Sequence, residues 1–180
     1  MIQTERLVLQ RPGRAHAGEL EPIYGDPEVM RYIGDGSAWS RPRIEEALHR
    51  WGSFWDDDGF GQLLLRRRDD GRAIGDVGLL AWDPDLWRPG SRARIGMHAE
   101  IEIGWTLGRE FWGQGYATEA ATAVRDWALG ELGLARLVSL IQPGNERSIR
   151  VAEKLGERYE RDVVTHGGQT AHLYSLEAPA

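Results

Sequence analysis

Apolar side chains recur at helical spacing in four segments of the chain. In each segment, large apolar residues or alanines return every three or four positions, which is the pattern of a helix with one buried face. Gly25, Gly133 and Gly156 stand where three of these segments stop, and glycine is common just after the end of a helix. We therefore predict helices at Ala15 to Tyr24, Ile44 to Trp55, Thr118 to Leu132 and Asn145 to Leu155.

Seven shorter segments have the pattern of β-strands, bounded by turn-forming residues. In Glu100 to Leu107, charged or small residues alternate with large apolar ones, so one face is buried and the other shows Glu100 and Glu102. The sequence Asp69-Asp70-Gly71 predicts a hairpin turn between two of the strands. The predicted strands are Leu7 to Leu9, Gln62 to Arg67, Ile74 to Ala81, Glu100 to Leu107, Leu137 to Ile141, Tyr159 to Val164 and Thr170 to Leu176.

The order of these elements predicts one α/β domain over residues 1–180, since no repeat or linker divides the chain. Strands joined through a helix near the middle of the chain are expected to lie parallel, which makes the sheet mixed and covers it with helices. Gly25 to Ser40 and Trp82 to His98 are rich in turn formers and are predicted to be long loops. Loops of this length in a small domain are usually functional.

Composition excludes several classes of function. The chain has 22 basic and 28 acidic residues, a net charge of -6, which disfavours a nucleic-acid partner or a polybasic membrane surface. Without cysteine there is no disulfide, no thiolate zinc site and no cysteine nucleophile, and the five histidines are too scattered for a metal-binding spacing. No stretch reaches the roughly 18 apolar residues of a membrane span, and the amino terminus lacks a signal-peptide pattern. We therefore expect a cytoplasmic protein with no metal, nucleic-acid or membrane partner.

The most informative segment runs from Trp105 to Ala120, where a strand leads through a glycine-containing turn directly into a helix. Gly113, Gly115 and Ala117 let a ligand approach the backbone closely, and the free amides of a first helical turn favour a phosphate. A short Gly-x-Gly also occurs in plain tight turns, so this motif alone leaves both interpretations open. The chain has neither the Gly-Lys-Ser/Thr of a P-loop nor an early dinucleotide-binding fingerprint.

The turn Trp112-Gly113-Gln114-Gly115-Tyr116-Ala117 resembles the phosphopantetheine-cradling turn of the GCN5-related N-acetyltransferases, the GNAT family, whose pattern is Gln/Arg-x-x-Gly-x-Gly/Ala. Trp112 departs from that pattern at its first position. The longer run Trp-Gly-x-Gly-Tyr-Ala-Thr-Glu-Ala is similar to the branch that acetylates the amino termini of ribosomal proteins. Further similarity to this branch lies in Thr4 to Leu9, Ile74 to Leu79 and Asn145 to Gly156.

One residue after the last of these segments differs from the family pattern. Glu157 stands where the family normally has phenylalanine, so we expect the packing after Gly156 to differ.

The resemblance implies a GNAT fold, with a mixed, mostly antiparallel sheet of six or seven strands, splayed in the middle and flanked by about four helices. The strand ending at Leu107 and the strand Leu137 to Ile141 would start paired and then separate, leaving a slot for the pantetheine arm. The cofactor would be acetyl-CoA. Its binding residues would be Trp105, Leu107, Trp112, Gly113, Gln114, Gly115, Tyr116, Ala117, Thr118, Asn145 and Ser148.

The resemblance also implies direct transfer of the acetyl group to a primary amine, of a small molecule or a protein amino terminus, in a ternary complex. An ammonium cannot attack, so a base is needed, and Glu102 is the candidate. A solvated strand carboxylate is the alternative for Glu102. The tyrosine that protonates the thiolate in many family members corresponds to Ala152, which leaves Ser148 or water. A cationic acceptor would meet Trp82, Asp83, Asp85 and Glu100.

Two other functions stay open on the residues alone. The glycine-containing turn from Trp112 to Ala117 would also serve a non-catalytic acyl-CoA-binding or regulatory domain. Such a domain needs neither Glu102 nor an amine pocket. A structural module whose turn binds only inorganic anions is the second alternative. Whether the chain acts alone or as a homodimer is open as well.

Overall fold

The computed structural model describes residues 1–179, which form a mixed sheet flanked by helices. The strands are β1 Ile2–Gln3, β2 Leu7–Gln10, β3 Gln62–Arg67, β4 Ala73–Asp83, β5 Arg88–Gly90, β6 Glu100–Leu107, β7 Arg136–Ile141, β8 Arg158–Val164 and β9 Thr170–Glu177. The helices are α1 Ala17–Tyr24, α2 Pro27–Met30, α3 Arg41–Asp58, α4 Arg92–Ile95, α5 Tyr116–Gly130 and α6 Glu146–Leu155.

The strand order is β1-β2-β3-β4-β6-β7-β9-β8, with β5 paired to β4. Within residues 1–179 every neighbouring pair is antiparallel except β6 and β7, which are parallel and joined through α5. The predicted α/β class and the mixed, mostly antiparallel sheet are therefore confirmed. None of the helices in this part of the chain combines the length and hydropathy needed to cross a bilayer.

The predicted element counts were too low. Residues 1–179 hold nine strands and six α-helices, against the six or seven strands and about four helices expected. The missed elements β1, β5, α2 and α4 have two to four residues each, too few for a pattern that differs from a loop, whereas the equally short β2 was predicted from its Leu-Val-Leu run. As a result, the two segments predicted as long loops each contain a short helix, and the second also contains β5.

The sheet opens between β6 and β7. These strands pair at Glu102 with Val138, and the described residues show no further pair between them. On one side β6 is paired to β4 from Glu100 to Leu107, and on the other β7 is paired to β9 over its whole length. Beyond their common pair the two strands therefore separate. We call this opening the fork, and it confirms the predicted splay.

Two apolar layers hold the sheet. Helix α5 packs Ala120, Ala121 and Val124 against β2, β3, β4 and β6. On the other face, α1, α2 and α3 form a cluster around Leu48 and Trp51. Strands β3 and β4 are thus covered on both faces, whereas β8 is largely exposed.

Asp76 on β4 is a buried carboxyl in this core. It is 3% exposed, and the Tyr24 hydroxyl donates a hydrogen bond to its Oδ2 at 2.6 Å. Burial raises the pKa of Asp76 to about 7, whereas an unfolded aspartate titrates near 4. Between these two values the folded protein keeps a proton that the unfolded chain has released, so Asp76 makes folding less favourable as the pH rises.

We therefore expect Asp76→Asn to raise the free energy of unfolding at pH 8 by roughly 2 to 4 kcal/mol and to change it little at pH 4.5. The amide oxygen still accepts the Tyr24 hydroxyl, so the packing is kept. Urea unfolding at both pH values measures the effect. An equal change at pH 4.5 and pH 8 would show that titration of Asp76 does not contribute.

Candidate functional site

A cleft of about 620 Å³ lies between the end of β6 and the start of α6, the helix that follows β7. Its walls come from the end of β6, the turn before α5, one face of α6 and the segment from α2 to Ile33. Three stretches of the chain that are distant in sequence, 28–33, 105–118 and 144–154, meet there because β6 and β7 diverge. The cleft is therefore a direct consequence of the fork.

The turn before α5 has the backbone of an anion cradle. Gly113 and Gly115 have φ angles of 73° and 83°, in the left-handed region that favours glycine. Gly115 occupies the position before the first residue of α5, and in the described chain no side chain caps the helix there, so its first amides face the cleft. A Cβ atom on Gly113 would meet nothing within 4 Å, which leaves open space above the turn.

The turn before α5, which we call the cradle, is held in place by contacts from Arg6, near the amino terminus. Arg6 donates from Nη1 to the Gln114 carbonyl oxygen at 3.0 Å and from Nε to Glu119 Oε2 at 2.6 Å. Its guanidinium also lies 4.4 Å from the centre of the Tyr116 ring. Sequence reasoning missed Arg6 and Glu119, because 113 residues separate them and no local pattern links them.

Cations line the cleft although the protein is acidic overall. Arg147, Arg150 and Lys154 lie on one face of α6, and the Arg147 guanidinium is 4.3 Å from the centre of the Trp112 ring. Arg31 adds a fourth cation, against the two carboxylates Glu28 and Glu146. An excess of positive charge beside free amides suits a polyphosphate. Sequence reasoning missed these cations, although their i, i+3, i+7 spacing on α6 was a usable signal.

The outer edge of β6 offers backbone groups to the cleft. Ser139 Oγ on β7 donates to the Ile103 carbonyl oxygen across the fork at 2.8 Å. Because alternate strand residues point their N–H and C=O groups to the same side, Trp105 presents its own toward the cleft. The Leu107 carbonyl oxygen accepts a hydrogen bond from Trp112 Nε1 at 2.8 Å, so that predicted position is partly engaged within the protein.

At the start of α6, Asn145 Oδ1 accepts the Ser148 amide at 3.3 Å, and both residues line the cleft. Asn145 is therefore both the N-cap of α6 and a residue of the cleft wall. The structure also places Trp105, Leu107, Trp112, Gly113, Gly115, Tyr116, Ala117 and Thr118 in the cleft wall. Gln114 lies beside the wall, and its Nε2 donates to the Glu110 carbonyl oxygen at 2.7 Å.

Glu102 lies at the apex of the fork, in the pair that joins β6 to β7. Its Oε2 accepts Trp82 Nε1 at 2.6 Å, and the Leu140 backbone amide also donates to its carboxylate. Burial raises the pKa of Glu102 to about 7, and both hydrogen bonds act in the opposite direction. A carboxyl with a pKa near neutrality is suited to accept and return protons at pH 7.

The four residues predicted to bind the acceptor have different surroundings. The Trp82 indole is engaged with Glu102, and Glu100 Oε2 pairs with Arg136 Nε at 3.1 Å. Asp83 Oδ1 accepts the backbone amides of Asp85 and Leu86 and shapes the turn between β4 and β5. Asp83 and Asp85 also bring their oxygens within 4.8 Å of a His98 ring nitrogen. The structure therefore brings Trp82 to the fork and leaves the two aspartates on the loop.

The comparisons with known proteins agree with this geometry. A family model described as an acetyltransferase (GNAT) domain matches residues 6–158. The chain is 41% identical over 159 residues to a Bacillus subtilis protein named uncharacterized N-acetyltransferase YnaD, over 88% of this chain and 83% of that protein.

Solved structures share the fold. An acetyltransferase from Agrobacterium tumefaciens matches with a TM-score of 0.77 at 27% identity, over 98% of this chain and 93% of that one. RimL, a ribosomal-protein α-N-acetyltransferase solved with coenzyme A, matches with a TM-score of 0.76 at 14% identity, over 97% and 95% of the two chains. The chain therefore belongs to the GNAT acetyltransferase family, whose enzymes take their acetyl group from acetyl-CoA.

Proposed function

We propose that the protein transfers the acetyl group of acetyl-CoA to a primary amine by direct attack in a ternary complex. The observation that carries this proposal is the fork itself, which puts a carboxyl with a raised pKa, Glu102, at the apex of an opening whose cleft holds an anion cradle. A domain that only bound acyl-CoA would have no need of a titrating carboxyl at that point.

The residues of the cleft fit acetyl-CoA. The amides from Gly113 to Thr118 would hold the pyrophosphate, and the cations of α6 would balance its remaining phosphate charge. Backbone groups of Trp105, and Asn145 at the start of α6, would bind the pantetheine amides. When bound, acetyl-CoA supplies an activated thioester carbonyl, which accepts the amine nitrogen as the carbon–sulfur bond breaks.

We assign Glu102 as the general base. With a pKa of about 7 it is partly ionised at neutral pH, so it can take the proton that the ammonium must lose before attack. The Trp82 indole holds one carboxylate oxygen in place, which makes Trp82 a positioning residue for Glu102. The Ser148 hydroxyl in the cleft wall is our candidate for returning a proton to the departing thiolate, with water as the alternative.

We propose that the acceptor approaches along the loop between β4 and β5. The exposed carboxylate of Asp85, with Asp83 beside it, would attract a cationic amine before it reaches the fork. Glu100, paired with Arg136, would add negative charge nearby. A primary amine satisfies this arrangement whether it belongs to a small molecule or to a protein amino terminus.

An acceptor screen tests the function. Purified protein is given acetyl-CoA and, separately, amino-terminal peptides, polyamines, amino acids and aminoglycosides, and free thiol is measured. We expect thiol release with at least one amine class, well above the rate of acetyl-CoA hydrolysis. If acetyl-CoA binds and no amine class is acetylated, the non-catalytic acyl-CoA-binding function is correct instead. If phosphate displaces CoA at equal concentration, the structural anion module is correct.

A further inference from the structure

Glu157 is a buried carboxyl next to the fork that the proposed reaction does not use. It follows Gly156 at the end of α6 and is 3% exposed. Within residues 1–179 its Oε2 has no hydrogen-bond partner. A buried glutamate is rare unless its polar atoms are paired, so the state of this group needs an explanation.

The contacts of Glu157 define its protonation state. Its Oε1 lies 3.1 Å from Ser139 Oγ, and Ser139 Oγ lies 2.8 Å from the Ile103 carbonyl oxygen. A hydroxyl has one hydrogen to donate, and a carbonyl can only accept. Both contacts are hydrogen bonds at the same time if Glu157 is a neutral acid that donates to Ser139, which in turn donates to Ile103.

The surroundings of Glu157 favour the neutral acid. Burial raises the pKa of Glu157 to about 8, with a smaller contribution from the negative charge of Glu102, and the contact with Ser139 acts in the opposite direction. The cations on neighbouring elements are engaged elsewhere. Arg125 on α5 donates to the Leu155 carbonyl oxygen and pairs with Asp126, and Arg136 on β7 pairs with Glu100, Glu160 and Glu177.

We propose that Glu157 is a positioning residue for acetyl transfer, whose acid proton commits the Ser139 hydroxyl to the Ile103 carbonyl and so holds the apex of the fork. This inference rests on the proposed function. Ile103 lies between Glu102 and the cleft-lining Trp105 on β6. Its position therefore determines where the Glu102 carboxylate lies and where the edge of β6 faces the cofactor. We call the chain from Glu157 through Ser139 to Ile103 the apex lock.

Ionisation of Glu157 would break the apex lock. A carboxylate can only accept, so it would take the Ser139 hydrogen and leave the Ile103 carbonyl without its donor. It would also place a second negative charge near Glu102. We therefore expect kcat to fall above pH 7, because the Ile103 carbonyl is no longer held by Ser139. The affinity for acetyl-CoA should change less.

The test measures kcat and KM between pH 7 and pH 9.5, together with calorimetric affinity for acetyl-CoA, in the wild type, Glu157→Gln and Ser139→Ala. The glutamine amide donates to Ser139 at every pH. We expect kcat of the wild type to fall about tenfold over this range and kcat of Glu157→Gln to stay level. Ser139→Ala should have a kcat about tenfold lower at pH 7, with the affinity for acetyl-CoA within about threefold of the wild type.

A measurement without turnover separates this inference from the proposed function. The ¹³C carboxyl resonance of Glu157, assigned by its loss in Glu157→Gln, should titrate near pH 8, and at a lower pH in Glu102→Gln because the repelling charge is gone. Titration near pH 4.5 would overturn the apex lock whatever the activity. An identical alkaline fall in Glu157→Gln would overturn the positioning role. If the resonance titrates near pH 8 but no amine is acetylated, the proposed function fails, and the positioning role fails with it.

Discussion

Glu102→Gln is expected to lower kcat at pH 7 by about two to four orders of magnitude, the range that general bases contribute. Glutamine keeps the size of the side chain, and its amide oxygen still accepts from the Trp82 indole and the Leu140 amide, so the fork is preserved. What is lost is the group that takes the ammonium proton. The affinity for acetyl-CoA should therefore stay within about threefold of the wild type.

The chain offers a matched control for this variant in Glu100→Gln. Glu100 lies two residues earlier on β6, on the same strand face, but its carboxylate pairs with Arg136 at the far side of the fork apex. Because Glu100 is proposed only to add negative charge near the incoming amine, we expect Glu100→Gln to raise the KM of the amine and to change kcat by less than about fivefold. Steady-state kinetics from pH 6 to pH 9 compare the two. If both variants lose the same activity, or if Glu102→Gln keeps the pH profile of the wild type, then Glu102 is not the base.

Gly115→Val is expected to weaken CoA binding at least about a hundredfold while the protein stays folded. Gly115 has a φ angle of 83°, which a β-branched residue adopts only with strain, and a Cβ atom there would lie 3.4 Å from Arg6 Nη2. The valine would therefore disturb both the cradle backbone and the arginine that braces it. Calorimetric titration with CoA measures the affinity, and circular dichroism confirms the fold.

Gly133→Val separates backbone strain from damage to the cradle. Gly133 also has a left-handed φ angle, 62°, but it lies in the exposed turn after α5, where a Cβ atom meets nothing within 4 Å. This variant should lose a comparable amount of stability, roughly 1 to 2 kcal/mol, and bind CoA like the wild type. Unchanged CoA affinity in folded Gly115→Val, or an equal loss in both variants, would contradict the role of the cradle.

The spacing of hydrophobic residues along the chain was sufficient to predict every strand and α-helix of five residues or more. The seven predicted strands and four predicted helices all exist, and the strand at Glu100 has the alternating burial that its sequence indicates from Glu100 to Ile103, but not at Trp105, which lines the cleft. Boundaries moved by a few residues: α5 begins at Tyr116 instead of Thr118, because its first turn starts directly after Gly115. The elements β1, β5, α2 and α4 were missed because their two to four residues lack a continuous apolar run like the Leu-Val-Leu of β2.

The local parts of the site could be predicted from short runs of adjacent residues. A left-handed glycine turn into a helix, and Asn145 as a helix cap, depend on neighbouring residues, so they could be predicted from the motif. Alternation along β6 likewise placed Glu102 on the face opposite the apolar residues. These features need only the backbone preferences of a few adjacent residues.

The protonation of the buried carboxyls depends on contacts between segments that are distant in the sequence. The pKa of a carboxyl depends on how far it is desolvated and which groups donate to it, and the donors to Glu102 are the Trp82 indole and the Leu140 amide, which lie on two other strands. Glu157 was visible in the sequence as a departure from the family pattern, yet only the folded chain brings it to Ser139 at the fork. Packing between distant segments sets solvent exposure and distance, and no local pattern records either.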